Sequence, residues 1–176
     1  MNGLAATKAR WQRSDGNAGG EGHPQLNLFA LQCYWWVMNY REVTVTDEYV
    51  ARLDTGADWR AEIEALASEV DAEAGWFSAI GSVEDAEVWF YDQDAGEYQS
   101  VTFDEPLEVA ACVGNVGLLD GELFAHTHAV LSRASGQALA GHINTATVFA
   151  GELFFRAFEE PLTREYDETT ALDLWL

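Results

Sequence analysis

The chain has 176 residues, 48% of them apolar and 12% aromatic, which suits one globular domain with a single core and excludes a disordered tail. Thirty acidic residues face nine basic ones, giving a formal charge of −21. Such a surface repels phosphate backbones and anionic membranes, and so argues against direct nucleic-acid or leaflet binding. Eight of the nine basic residues are arginine and only Lys8 is lysine. An acidic, lysine-poor surface around an ordinary core resembles that of a halophilic cytoplasmic protein, in which concentrated salt screens the self-repulsion. A mesophilic acidic protein is the alternative. Two cysteines, Cys33 and Cys112, are too few for a disulfide framework and fit a reducing compartment. Cys112 lies in an apolar run and is expected as a buried thiol.

Residues 1–37 differ from the rest. They hold three basic and two acidic residues, which leaves six basic and 28 acidic, or −22, on residues 38–176. Gly, Asn and Gln between Ser14 and Asn27 suggest flexibility. The apolar run Leu28–Met38 is too short to span a bilayer. It also comes late for a signal peptide and lacks a small-residue cleavage site. The expected organisation is therefore a non-native or disordered extension over 1–37, a domain over 38–160, and an acidic tail over 161–176 docked on it.

From Met38 the elements follow in order. Glu42–Thr46 and Glu48–Leu53 read as two strands. Asp58 can cap a helix whose apolar residues Trp59, Ile63, Leu66 and Val70 form one stripe, ending near Ala74 with Gly75 as its C-terminal stop. Almost only strands follow: Trp76–Ile80, Ala86–Tyr91, Tyr98–Phe103 and Leu107–Val116. Asp120-Gly121 makes a hairpin turn into Leu123–Leu131. Ser135-Gly136 is a second turn, leading to Gln137–His142 and Thr147–Phe158. The last residues, Leu172–Leu176, alternate. The expected fold class is α+β, with one main helix against a bent, mostly antiparallel sheet.

One cluster carries candidate chemistry. Three of the four histidines, His126, His128 and His142, fall within 17 residues. His126 and His128 share one face of a strand because side chains alternate with period two, and the following turn can bring His142 alongside. Three imidazoles with an open fourth position suit a metal, and the competing reading is a set of ordinary strand histidines. Glu152 interrupts an apolar strand and is the candidate fourth ligand or general base. Glu108 interrupts another but reads as an outward residue. Arg133 and Arg156 are the arginines nearest in sequence that could hold an anionic substrate. No Ser/His/Asp arrangement is legible, and Gly114–Gly117 lacks the lysine of a phosphate loop.

The order of these residues resembles the plant and prokaryote conserved (PPC) domain family. The likeness runs from about Met38 to Phe158. It rests on Asp58-Trp59-Arg60, on Ala79 to Glu87, on Tyr91, Pro106 to Val109, Gly114-Asn115 and Asp120-Gly121, and on Ala125-His126-Thr127-His128-Ala129 and Gly141-His142. Ala140 and Ile143 stand where members commonly carry glycine and leucine. The resemblance implies a compact α+β fold similar to acetolactate decarboxylase, assembly as a homotrimer, and a metal, zinc, on His126, His128 and His142. It carries a family label of DNA binding. This chain, however, has no Arg-Gly-Arg-Pro core of an AT-hook. The expected function is an interaction or regulatory module acting through protein partners or a small ligand. The alternative is a zinc-dependent lyase or hydrolase acting on a small acid.

Overall fold

The computed structural model describes residues 38–175, so expectations for 1–37 and Cys33 lie outside the described residues. The first strand, β1 (Val45–Leu53), stands where two were expected. The chain does not turn near Asp47 but carries a register shift between Val45 and Asp47, both sides pairing with the same neighbour. Asp58 then begins α1 (Trp59–Glu69). Its Oδ1 accepts from the backbone N–H groups of Arg60 and Ala61 at 3.1 and 2.9 Å, while Oδ2 accepts from Ala146 N–H at 3.1 Å. One carboxylate thus satisfies two orphan helix donors and ties the helix to the sheet. Trp59, Ile63 and Ala67 form the buried stripe. The helix stops several residues before Ala74, because Asp71 takes a left-handed conformation at φ 56° and turns the chain away. Gly75 is therefore not a helix stop but the first residue of the next strand.

That strand, β2 (Gly75–Asp92), joins two expected strands into one of 18 residues. It is followed by β3 (Glu97–Phe103), β4 (Leu107–Leu119), β5 (Glu122–Ser132) and β6 (Ala138–Phe158). β6 also joins two expected strands, over 21 residues. The sheet order is β1-β6-β5-β4-β2-β3, all antiparallel, and a further pairing of β2 with β6 closes β2, β4, β5 and β6 into a ring. Two such long strands can close only by bending. Gly81 sits opposite Gly151 at φ 154°, where a Cβ would lie 2.1 Å from the Ala150 carbonyl oxygen. A side chain at position 81 would force the two strands apart.

The core fills the inside of this ring: Phe77, Leu131, Ile143 and Phe155 are fully buried with Trp59 and Ile63 of α1. The helix packs on β5 and β6, and Glu64 Oε1 accepts from Ala125 N–H at 2.9 Å. Cys112 is buried in β4, and desolvation pushes its thiol up to about 12. A short hairpin, β7 (Arg164–Asp167) with β8 (Leu172–Trp175), follows the sheet. It docks where Leu118 N–H donates to the Leu162 carbonyl at 2.8 Å. Among the described residues no helix is long and apolar enough to cross a membrane.

Asp58→Ala removes the cap and the Ala146 tie together. Urea unfolding should show a loss of about 2 kcal/mol, whereas an unchanged midpoint would mean that water replaces both sets of bonds.

Candidate metal centre

The positions of the histidines follow from burial on the other side of their strand. Along β5, Ala125, Thr127, Ala129 and Leu131 face the core. Thr127 is tolerated there because its hydroxyl donates to the Ala125 carbonyl at 3.0 Å. The alternate residues, His126 and His128, must then face outward. The turn after β5 is fixed by Arg133 N–H donating to the Gln137 carbonyl at 3.0 Å and Gly136 N–H donating to the Arg133 carbonyl at 2.8 Å. It sets the register that places His128 directly opposite His142. On the flanking strands, Asn115 of β4 lies opposite His126 and Trp89 of β2 lies opposite His142.

The three rings converge. Their centroids are 4.9, 5.0 and 5.4 Å apart, and one nitrogen from each lies within 4.8 Å of the others. The Nε2 atoms of His126 and His128 are 3.0 Å apart. Nitrogens sharing a tetrahedral zinc at about 2.0–2.1 Å would sit roughly 3.3 Å apart, so this pair already has the spacing of joint ligands. Trp89 stacks on His142 with centroids 5.9 Å apart and planes 14° from parallel. Trp89 is itself held by donating to Glu87 Oε1 at 2.6 Å.

Electrostatics keep the trio neutral. Burial pushes His126 down to about 3, with the nearby charge of Arg164 and the other imidazoles adding to it. Burial likewise brings His142 to about 4, assisted by His128, Arg60 and Arg164. His128, the most exposed of the three, is also lowered by desolvation. A neutral imidazole is the form that ligates a metal. The donor set fits an ion on a second count. Among the described residues His142 Nδ1 is buried with no hydrogen-bond partner, and no carboxylate joins the trio to accept a proton from it. Among the described residues this is the one group of three potential ligands found.

Other sequence candidates fall elsewhere. Glu152 is exposed on the outer face of β6, ten residues from His142, which is roughly 30 Å of extended chain. The structure does not bring it to the histidines. Strand alternation turns it outward, so its carboxylate carries no burial cost. Glu108 is outward and exposed as expected. Arg133 pairs with Glu105 and Arg156 with Glu48, each at 2.7 Å, and neither faces the trio. The cation that lines one cavity with His126 and His142 is Arg164 of β7, only 7% exposed, and Arg60 acts on His142 as well. Its signal in the sequence was slight: it is the only basic residue after Arg156, in an acidic tail.

A model of the Plants and Prokaryotes Conserved (PCC) domain, the family that the sequence resembles, matches residues 40–159. Among solved structures, a metal-containing protein from Archaeoglobus fulgidus is 38% identical, with a TM-score of 0.75 over 79% of this chain and 99% of that one. A plant- and prokaryote-conserved protein from Pyrococcus horikoshii is 24% identical, with a TM-score of 0.74 over 79% and 97%. A Bacteroides thetaiotaomicron protein, provisionally described as DNA-binding, is 22% identical, with a TM-score of 0.69 over 76% and 96%. The last two likenesses speak to fold alone. A search among curated proteins returns no match.

The hairpin that carries Arg164 reaches the site because Gly117 leaves room for it. A Cβ there would lie 2.6 Å from Trp175 Nε1 and 2.7 Å from the Leu162 carbonyl. Gly117→Ala should loosen the hairpin, seen as at least ten-fold faster limited proteolysis between residues 160 and 175 with an unchanged far-UV spectrum. Equal proteolysis would show that the hairpin docks without this contact.

Proposed function

Because the chain belongs to the Plants and Prokaryotes Conserved domain family, we propose that it is a metal-binding assembly module in which His126, His128 and His142 hold one zinc ion per chain and three chains form a homotrimer. The observation that carries the reading is the convergence of three neutral imidazoles, one of them with a buried nitrogen lacking any partner. The 38%-identical Archaeoglobus protein, itself metal-containing, supports it. Three nitrogen ligands favour a borderline ion such as zinc over magnesium or calcium, which prefer oxygen. Bound there, the ion would supply a Lewis-acid centre with an open coordination position. The protein's own contribution is to fix the rings through Trp89, keep them unprotonated, and hold water back with the C-terminal hairpin.

The assembly half of the reading is supported by the outer face of the sheet. Trp76, Ile80 and Val113 are 46%, 54% and 45% exposed, and Ile80, Val113 and Phe154 line a shallow groove of about 630 Å³ that also holds Arg52 and Glu152. Burying such a patch against copies of the same chain would remove it from water. A direct DNA-binding role finds no support in a chain of charge −21. A second reading, zinc-dependent lyase or hydrolase chemistry on a small acid, is favoured by one observation. Arg164 stands beside the histidines, where an acid would need a cation.

Elemental analysis of protein purified without chelator should give about one zinc per chain, falling below a tenth in His126→Ala and His142→Ala. Wild-type protein with less than a tenth of an ion would remove the metal reading. Light scattering should report three times the 19.4 kDa chain mass, reduced to a single chain by Ile80→Glu. A monomeric wild type would remove the trimer.

A further inference from the structure

We propose that the cavity between the histidines and the C-terminal hairpin binds a small organic carboxylate, with its acid group on Arg164 and its apolar remainder against Trp89, Tyr98 and Phe124. This deepens the small-acid reading of the site and does not require the ion.

Arg164 carries a buried charge that forms no close ion pair among the described residues. Arg164 is 7% exposed, yet no carboxylate among the described residues lies within ion-pairing distance, in a chain with 30 acidic residues. A buried guanidinium is ordinarily paired. Here Nη1 donates to the backbone carbonyl of Asp173 at 3.2 Å and Nη2 to Asn115 Oδ1. Those two bonds account for a role in holding the hairpin. They leave the other three of the five guanidinium N–H donors without a hydrogen bond, the one on Nε buried, while the guanidinium lies 5.4 and 5.8 Å from the Phe124 and Trp175 ring centres. Arg60, the other nearby cation, lies over the Phe124 ring and is engaged by Glu64 at 3.4 Å. The Asp173 carboxylate lines the cavity and acts on Arg164 from beyond ion-pairing distance, so the guanidinium keeps unfilled donors for a ligand acid.

The cavity limits what that ligand can be. Its volume of about 260 Å³ lies just below the range of roughly 300–1,000 Å³ typical of sites for drug-sized molecules. One guanidinium edge matches the two oxygens of a planar carboxylate, whereas a phosphate dianion would bring a second negative charge against Asp173, which lines the same cavity. His126 and His142 line the same space, so an acid held by Arg164 would lie against the face where the imidazoles converge.

Calorimetric titration of the full chain with benzoate, in zinc-loaded and chelator-treated forms, tests this. Benzoate should bind at one per chain with a Kd of about 1 mM or tighter, and benzamide and inorganic phosphate should bind at least ten-fold more weakly. Arg164→Ala should lose at least ten-fold in benzoate affinity while keeping its zinc. Because that substitution also cuts the ties to Asp173 and Asn115, Leu172→Trp provides a second arm: it fills the cavity, leaves the guanidinium in place, and should abolish binding. Absence of benzoate binding in both forms, equal binding of benzamide, tighter binding of phosphate, or unchanged affinity in either variant would overturn the proposal. Arg164-dependent binding to protein that takes up no zinc would uphold it while removing the metal reading.

Discussion

The pairing of His128 with His142 across β5 and β6 is the constraint on which the rest of the site depends. It is held by what lies behind it. Ala125, Thr127, Ala129 and Leu131 are buried on the opposite face of β5, so a slip of one residue would carry both histidines into the core and expose four core residues. The turn from Arg133 to Gln137 fixes the register at one end, and Glu64 of α1 holds Ala125 at the other. Closure of the ring through β2 then brings Trp89 onto His142. A core built from ordinary apolar packing thus sets three imidazole rings within 5.4 Å of one another without a contribution from any loop.

The local electrostatics run against the global charge. The chain as a whole is at −21, but desolvation holds the three imidazoles unprotonated, assisted by Arg164 at His126 and by Arg60 and Arg164 at His142. Such an environment also raises the cost of placing a bare divalent cation there. A compensating anion would offset that cost. The inferred carboxylate on Arg164 and the proposed ion on the histidines are in this sense complementary: each supplies a charge that the other lacks. Of the acidic excess, Asp173 reaches the site, where it lines the cavity beside Arg164.

Much of this was legible in the sequence because it rests on short-range periodicity. The helical stripe from Trp59 to Ile63, the buried thiol of Cys112 and the shared face of His126 and His128 all follow from spacings of a few residues. The joining of strands in β2 and β6 was not legible. A glycine-centred bend such as Gly81 opposite Gly151 has the same local composition as a turn, and only the partner strand distinguishes them. The end of α1 was misplaced for a related reason, since Asp71 turns the chain at a residue that carries no strong stop signal. Arg164 was missed because its partner Asn115 is 49 positions away and its neighbours in sequence are acidic. Glu152 stood out as polar within an apolar run, but the run belongs to a strand whose alternate residues face outward.

The central claim is that His126, His128 and His142 together ligate one zinc ion. X-ray absorption at the zinc edge of the purified protein addresses it most directly, because it counts ligands by type and distance. The expected spectrum is that of a four-coordinate ion with three imidazole nitrogens at about 2.0–2.1 Å and one further light ligand. A shell of oxygens alone, or a sulfur at about 2.3 Å, would contradict it.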